Sequence, residues 1–253
     1  AGFFNFSMYN YNMYKNKVFL AVFAFIILTG ITGFSLHARG ATRSGEIRIS
    51  SADNSYGSQS VIVLGPNEES AITISKYYKG RVTHKKLDVA LYRIQQPDLL
   101  KFLTYTKTKG ENGYDNYKNA PFNVSGLDFI TNFTFEGSAE QKISLPLEGT
   151  GMWLVRATLD GADYNDAILL RSDTGVMVRE GNDNTTLFWG QSLRTGKSIS
   201  QGDVNIYNLE NTPKVLSSGV FDATGTVRQP LNKQGDIAVI TSGEDISVVV
   251  LNL

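Results

Sequence analysis

From Ser60 to Leu251 the chain keeps returning to one pattern. Short runs in which apolar and polar side chains alternate are each closed by a cluster of Gly, Asn, Asp, Ser or Pro. Leu87-Asp-Val-Ala-Leu-Tyr-Arg-Ile94 sets Leu87, Val89 and Leu91 on one face, and Ala71-Ile-Thr-Ile-Ser75 alternates in the same way. A period of two is the signature of a half-buried strand, because successive side chains of a pleated backbone point to opposite sides. Val61–Leu64, Asp128–Phe135, Gln141–Leu147, Gly151–Leu159 and Asp166–Arg171 read as further strands, with Gly65-Pro-Asn67 and Asp160-Gly161 as turns. Strands at this spacing, with almost no helical period between them, predict an antiparallel β-sandwich over residues 60–172.

At Ser172-Asp-Thr-Gly175 the pattern breaks and starts again. A second sandwich is expected over residues 173–253, opening with Val176-Met-Val178. Its strongest feature is Asn184–Leu209, which reads as a strand (Thr185–Leu193), a tight turn (Arg194–Lys197) and a second strand (Asp203–Leu209), together a hairpin. Asp222-Ala-Thr-Gly225 and Thr241-Ser-Gly-Glu-Asp245 read as hairpin or corner turns. Trp153 and Trp189 each lie in an apolar strand and are expected in the two cores. In the first module, Pro97–Leu103 allows one or two turns of helix with Pro97 at a permitted starting position. Thr104–Gly126 then reads as a long polar loop, a length that marks a loop as either functional or mobile. If it binds anything, Tyr105, Tyr114, Tyr117 and Lys118 form the contact surface, as a platform for a sugar or a nucleic acid.

The amino-terminal part is different. Val18–Phe34 is a 17-residue run without charge, preceded by Lys15 and Lys17 and followed by Ser35-Leu-His-Ala38. Its length lies between a signal-peptide core of about 7–15 residues and a spanning helix of about 18 or more. Residues 1–38 are therefore expected to be a cleaved signal peptide or a retained membrane anchor forming one hydrophobic helix, with the chain after Arg39 exported. Residues 39–59, rich in Gly and Ser, read as a flexible tether interrupted by the short alternating piece Glu46–Ser50.

Composition removes several classes of function. Lys+Arg and Asp+Glu number 24 each, and a formal net charge of zero argues against a nucleic-acid binder. The absence of cysteine excludes disulfides, thiol nucleophiles and thiolate metal sites, and in an exported chain of this size it favours a bacterial source. Gly190-Gln-Ser-Leu-Arg194 begins like a nucleophile elbow but ends in Arg, and neither His37 nor His84 stands near it in the pattern. No Walker loop, dinucleotide fingerprint or His-Glu-x-x-His occurs. Asp160-Gly-Ala-Asp-Tyr-Asn-Asp166 offers oxygen ligands, but not in the order of an EF-hand loop, and is a sufficient turn sequence without a metal. No catalytic, cofactor or metal residue is expected.

The order of elements in the second module resembles the macroglobulin domain of the alpha-2-macroglobulin family. The resemblance is carried by Ser172-Asp-Thr-Gly-Val-Met-Val178, Leu187-Phe-Trp189, Ser192-Leu-Arg-Thr-Gly-Lys-Ser-Ile199, Gly202-Asp-Val-Asn-Ile-Tyr207, Phe221-Asp-Ala-Thr-Gly225 and Gly243-Glu-Asp-Ile-Ser-Val248. The module ending in Gly151-Met-Trp-Leu-Val-Arg-Ala157 is similar to a preceding macroglobulin domain. The pattern departs at Ser198, where the family has Pro, and at Gly202-Asp203, where it has Gly-Ala. The family's Cys-Gly-Glu-Gln thioester is absent from a chain without cysteine.

The resemblance implies an all-β fold of two consecutive macroglobulin, immunoglobulin-like sandwiches. It implies a non-enzymatic scaffold segment of a longer, exported endopeptidase-inhibitor-type protein, in the periplasm, at the inner membrane or on the cell surface. Its partners would be the other macroglobulin domains of that chain, with proteases engaged elsewhere in it. The alternative is a cell-surface adhesion or carbohydrate-binding protein that uses the Thr104–Gly126 loop.

Overall fold

The computed structural model describes residues 45–52, 60–78, 81–82, 85–111, 121–136, 139–160, 163–181, 184–230 and 234–251. The expected leader around Val18–Phe34 lies outside them, as do His84, Tyr114, Tyr117 and Lys118. Among the described residues no helix is long and apolar enough to cross a membrane.

The protein is all-β with a single α-helix among the described residues, built as two pairs of packed sheets. The first pair opposes a sheet of β1 (Gly45–Ser51), β3 (Ala71–Tyr78), β4 (Arg81–Val82) and β7 (Glu140–Ser144) to a five-stranded sheet. The larger sheet has the order β2 (Val61–Leu64), β9 (Asp163–Arg171), β8 (Gly151–Leu159), β5 (Leu87–Arg93), β6 (Asp128–Phe135). Ile47, Ile49, Ile72 and Ile74 from one sheet meet Leu87, Val89, Leu91, Trp153 and Val155 from the other. The alternation read in Leu87–Arg93 is the inward face of β5, where Leu87, Val89 and Leu91 are wholly buried. One pairing departs from the antiparallel expectation. β2 runs parallel to β9, pairing Val61 with Ile168 through Leu64 with Arg171, which the long stretch of chain between them permits.

β1 also corrects the reading of residues 39–59 as a tether. Gly45–Ser51 pairs with β3 along its whole length, from Gly45 opposite Tyr78 to Ser51 opposite Ile72, and buries Ile47 and Ile49. The two isoleucines at alternate positions decide the strand.

The second pair of sheets holds β10 (Thr174–Glu180), β11 (Thr185–Ser192) and β14 (Thr226–Pro230) against β13 (Lys214–Val220), β12 (Asp203–Asn208), β15 (Ile237–Ser242) and β16 (Asp245–Val250). Its core is Phe188, Ile199, Val204, Ile206, Phe221, Ala238 and Ile240. Trp189 is not part of it. Phe188 points inward and is fully buried, whereas Trp189, the next residue on the strand, faces the other way and is half-buried.

The expected hairpin is also not one. β11 and β12 are both present, but β11 pairs with β10 and β14, and β12 pairs with β13 and β15. The connection turns at Gly196 (φ 68°), makes a single bridge from Ser198 back to Gln191, and carries the chain across the sandwich, burying Ile199 on the way. Asp222–Gly225 is likewise a corner, joining β13 of one sheet to β14 of the other, while Gly243 (φ 62°) sits in a true β15–β16 hairpin.

Helix α1 (Gln96–Glu111) is 16 residues long and overturns the reading of Thr104–Glu111 as loop. The Asp98 carboxylate accepts from the Gln95 N–H at the start of the helix and closes the first turn. Beyond Leu103 the sequence Thr104-Tyr-Thr-Lys-Thr-Lys-Gly110 has weak helix propensity. Packing overrides it: Thr104 is buried, and Tyr105 lies 6.3 Å from the Phe102 ring and 5.7 Å from the Phe122 ring.

Candidate functional site

Of the residues expected to make a contact surface, Tyr114, Tyr117 and Lys118 lie outside the described residues. Tyr105, the only described member, is half-buried in an aromatic cluster, and burial, then the neighbouring Tyr164, push its phenol well above the usual tyrosine range. Ser192, in the elbow-like stretch, donates from Oγ to Asp173 Oδ2 at 2.9 Å and accepts from the Thr195 N–H, so its hydroxyl is committed to the chain turn. Asp166, from the carboxylate-rich turn, receives Arg156 Nε on Oδ1 at 2.7 Å and Arg156 Nη2 on Oδ2 at 2.8 Å, a two-pronged pair across β8 and β9. Among the described residues no group of three or more His, Asp or Glu stands close enough together to hold a metal ion.

What the fold does bring together is the junction between the two sandwiches. In most open sandwiches the outward face of a sheet is polar, but β8 and β9 are buried on both faces. The reason is α1. Its Leu99 and Phe102 cover Met152, Leu154, Ile168 and Leu170 on the outer side of the five-stranded sheet. Leu100, on the other side of the helix, packs with Tyr207, Leu209, Ile237 and Val239 of the second sandwich. Leu103, Ile246 and Val248 touch both clusters and join them. The helix is thus apolar on two sides because it fills the space between two sheets.

Polar contacts fix the edges of this packing. Gln96 Nε2 donates to the Tyr207 hydroxyl at 3.1 Å near the start of α1. Toward the other end, Lys107 Nζ donates to both oxygens of Asp236, at 2.9 and 3.0 Å, in a pair that is mostly shielded from water. Asp236 Oδ2 also accepts the Leu209 N–H at 2.6 Å, so the same carboxylate positions the end of β12. On the linker, Asp245 Oδ2 collects Ser172 Oγ at 3.0 Å, the Asp173 N–H at 3.0 Å and Thr174 Oγ1 at 2.7 Å. Asp173 turns its own carboxylate to Ser192 Oγ and to the Arg194 N–H at 2.7 Å. The residues that join the sandwiches are therefore each tied to the second one. Asp245 Oδ1 is buried with no partner, a cost that the three donors on Oδ2 offset.

Sequence reasoning finds the linker but not what grips it. In the sequence Asp236 reads as the polar residue before an apolar run and Asp245 as part of the Thr241–Asp245 turn. The partner of Asp236 is 129 positions away, and no local pattern announces it.

Comparison of the sequence with protein-family models and with curated proteins finds no match. Comparison of the fold with solved structures does. A crystal structure of native Escherichia coli alpha-2-macroglobulin spanning domains NIE-MG1 superposes with TM-score 0.58 at 16% identity, covering 84% of this chain and 100% of that one. The fold is that of bacterial alpha-2-macroglobulin domains. A three-domain piece of the same E. coli protein, MG0-NIE-MG1, gives TM-score 0.60 at 17% identity over 81% of this chain and 64% of that one. Salmonella alpha-2-macroglobulin reacted with methylamine gives 0.53 at 16% identity over 84% of this chain, which spans only 12% of that protein. A coverage of 84% is more than either sandwich alone contributes, so the likeness to bacterial alpha-2-macroglobulin extends to the pair.

Proposed function

We propose that this chain is a non-enzymatic scaffold segment of an exported, alpha-2-macroglobulin-like protein. In this role the two sandwiches act as one block that holds neighbouring macroglobulin domains in place. The observation that carries the reading is the junction: α1 and the Asp236 and Asp245 clasps fill and fasten the space between sandwiches, as a load-transmitting spacer requires. Support comes from the likeness to a two-domain piece of E. coli alpha-2-macroglobulin over its whole length. Lys15, Lys17 and the uncharged run Val18–Phe34 supply the export element, with the block placed in the periplasm, held at the inner membrane or displayed on the surface. Any protease would be engaged by other parts of the longer protein.

Two measurements test this together. The gene flanking the segment is expected to encode further macroglobulin domains, and a stop codon directly after Leu253 would overturn the reading. The purified chain is expected to leave trypsin activity on a protein substrate unchanged even in molar excess; stoichiometric inhibition would assign the protease-directed function to this segment itself.

A further inference from the structure

The outermost strand of the five-stranded sheet is unusual for an edge. β6 runs Asp-Phe-Ile-Thr-Asn-Phe-Thr-Phe from Asp128 to Phe135 and, among the described residues, pairs only with β5. Edges that must stay single are blunted by brevity, charge, Pro, bulges or a covering segment, because alternate N–H and C=O groups on the free side are a template for another strand; on β6 the one bulge leaves Thr131–Phe135 regular. β6 has eight residues and neither Lys nor Pro. Its one irregularity lies near one end: Leu91 opposes Thr131 and Tyr92 opposes Phe129, leaving Ile130 bulged out. Phe129 is 54% and Ile130 38% exposed, whereas Phe133 and Phe135 turn inward onto the sandwich core.

The same end of the strand borders a shallow apolar cleft formed by Tyr92, Phe122, Val124 and Phe129 beside Arg156. The Tyr92 and Phe129 rings meet edge to face at 5.7 Å. Arg156 brings little free charge to it, since its guanidinium is held by Asp166 and the Phe122 carbonyl. Charge is concentrated instead at the two ends of the strand, where Asp128 and Glu136 are exposed and enter no ion pair among the described residues. A backbone edge that no other described strand covers, a side-chain cleft on the same strand and acidic ends are the elements of recognition by strand addition, in which main-chain hydrogen bonds supply affinity and the cleft supplies specificity.

We propose that β6 is a strand-addition site for an extended segment of another polypeptide, apolar at its centre and basic at both ends. The segment lies antiparallel to β6, so that its carboxyl-terminal part meets the Tyr92–Phe129 cleft with an aromatic side chain.

The probe is a fluorescein-labelled peptide of alternating Val and Thr with Lys at both ends and one Phe beside the carboxyl-terminal Lys, titrated against the full chain by fluorescence anisotropy. Saturable binding is expected, weaker when the Phe is moved to the amino-terminal end. Ile130→Lys places a charge on the exposed bulge and is expected to weaken binding at least about tenfold with an unchanged Tm. Phe129→Ala is expected to abolish the preference for the carboxyl-terminal Phe. Absence of saturable binding, equal binding to the Ile130→Lys variant, or indifference to the position of the Phe overturns the proposal. So does dimerisation of the chain that Ile130→Lys abolishes, which would assign the edge to a second copy instead.

Discussion

Replacing Leu100 with Ala separates the two halves of the junction. Leu100 sits on the side of α1 that faces the second sandwich, 8% exposed, against Tyr207, Leu209, Ile237 and Val239. Truncating a buried leucine costs about 2–5 kcal/mol, and a residue at the rim of its cluster belongs at the low end, about 2–3 kcal/mol. With an m-value of about 2 kcal/mol per molar urea, this corresponds to a midpoint about 1 M lower for whichever unit depends on the contact. The protein carries its own reporters, because Trp153 lies in the first sandwich and Trp189 in the second. A Trp189→Phe background reads the first unit by fluorescence, and a Trp153→Phe background reads the second. In each background the Leu100→Ala midpoint is compared with that of its own parent. The loss is expected to be about 1 M on the Trp189 signal and less than half of that on the Trp153 signal, since Leu99 and Phe102 keep the helix on the first sandwich. A larger loss on Trp153 than on Trp189, or no loss on either signal, would refute the assignment of Leu100 to the second sandwich and with it the view of α1 as a two-sided filler.

Two further perturbations test electrostatics. The Asp222 carboxyl is held below the usual range, first by the Thr224 hydroxyl at 2.6 Å and then by the N–H and hydroxyl of Thr226. A depressed folded value means stability that is fully present above the ordinary Asp value of about 3.9 and lost as pH falls below it. Thermal melts in acid should therefore decline less steeply for Asp222→Asn than for the parent; superimposable acid limbs would contradict this. Some decline remains, because Asp88 is shifted the same way by its bond from Thr134. Lys76 is 1% exposed, its ammonium donates to the Lys85 carbonyl at 2.8 Å, and burial lowers its pKa. The folded state disfavours the charged amine, so the penalty is present at neutral pH and is relieved as pH rises toward the ordinary Lys value of about 10.4. Lys76→Met is expected to raise stability at pH 7 by about 1 kcal/mol, with a gain that shrinks in alkali; a lower Tm for the variant would show that the ammonium is needed where it stands.

The parts of the fold that were legible in the sequence are those decided by near neighbours. The two-residue period of Leu87–Arg93 needs only its own side chains to be read, and the same holds for the apolar run of β8. Strand identity was legible at Thr185–Ser192 and Asp203–Asn208, but strand partnership was not. The turn at Gly196 looks the same whether the chain doubles back or crosses to the facing sheet, and the choice rests on Ile199 entering a core built by distant strands. α1 shows the converse: Thr104–Gly110 is a poor helix by propensity, and the surface that stabilises it comes from β8 and β9, downstream in the chain. Trp189 was misplaced because alternation fixes two faces without saying which is inner, and Phe188 at the adjacent position took the core. Of the junction, only the linker Ser172–Thr174 was visible; Lys107, Asp236 and Asp245 gain their roles from three-dimensional proximity alone.

The place of α1 in the chain has a consequence for the order in which the protein comes off the ribosome. The helix precedes β6, yet its first support, β8 and β9, is made later, and the strands that cover Leu100 and Leu103 end only near Val250. Until β9 emerges, the apolar bed beneath the helix lacks Ile168 and Leu170. Until β15 and β16 emerge, one side of that helix is still bare to solvent and to other nascent chains. The interval between Arg171 and Val250 is thus the vulnerable window of its synthesis. Of the second sandwich, β12, β15 and β16 are the strands whose side chains meet the helix laid down with the first.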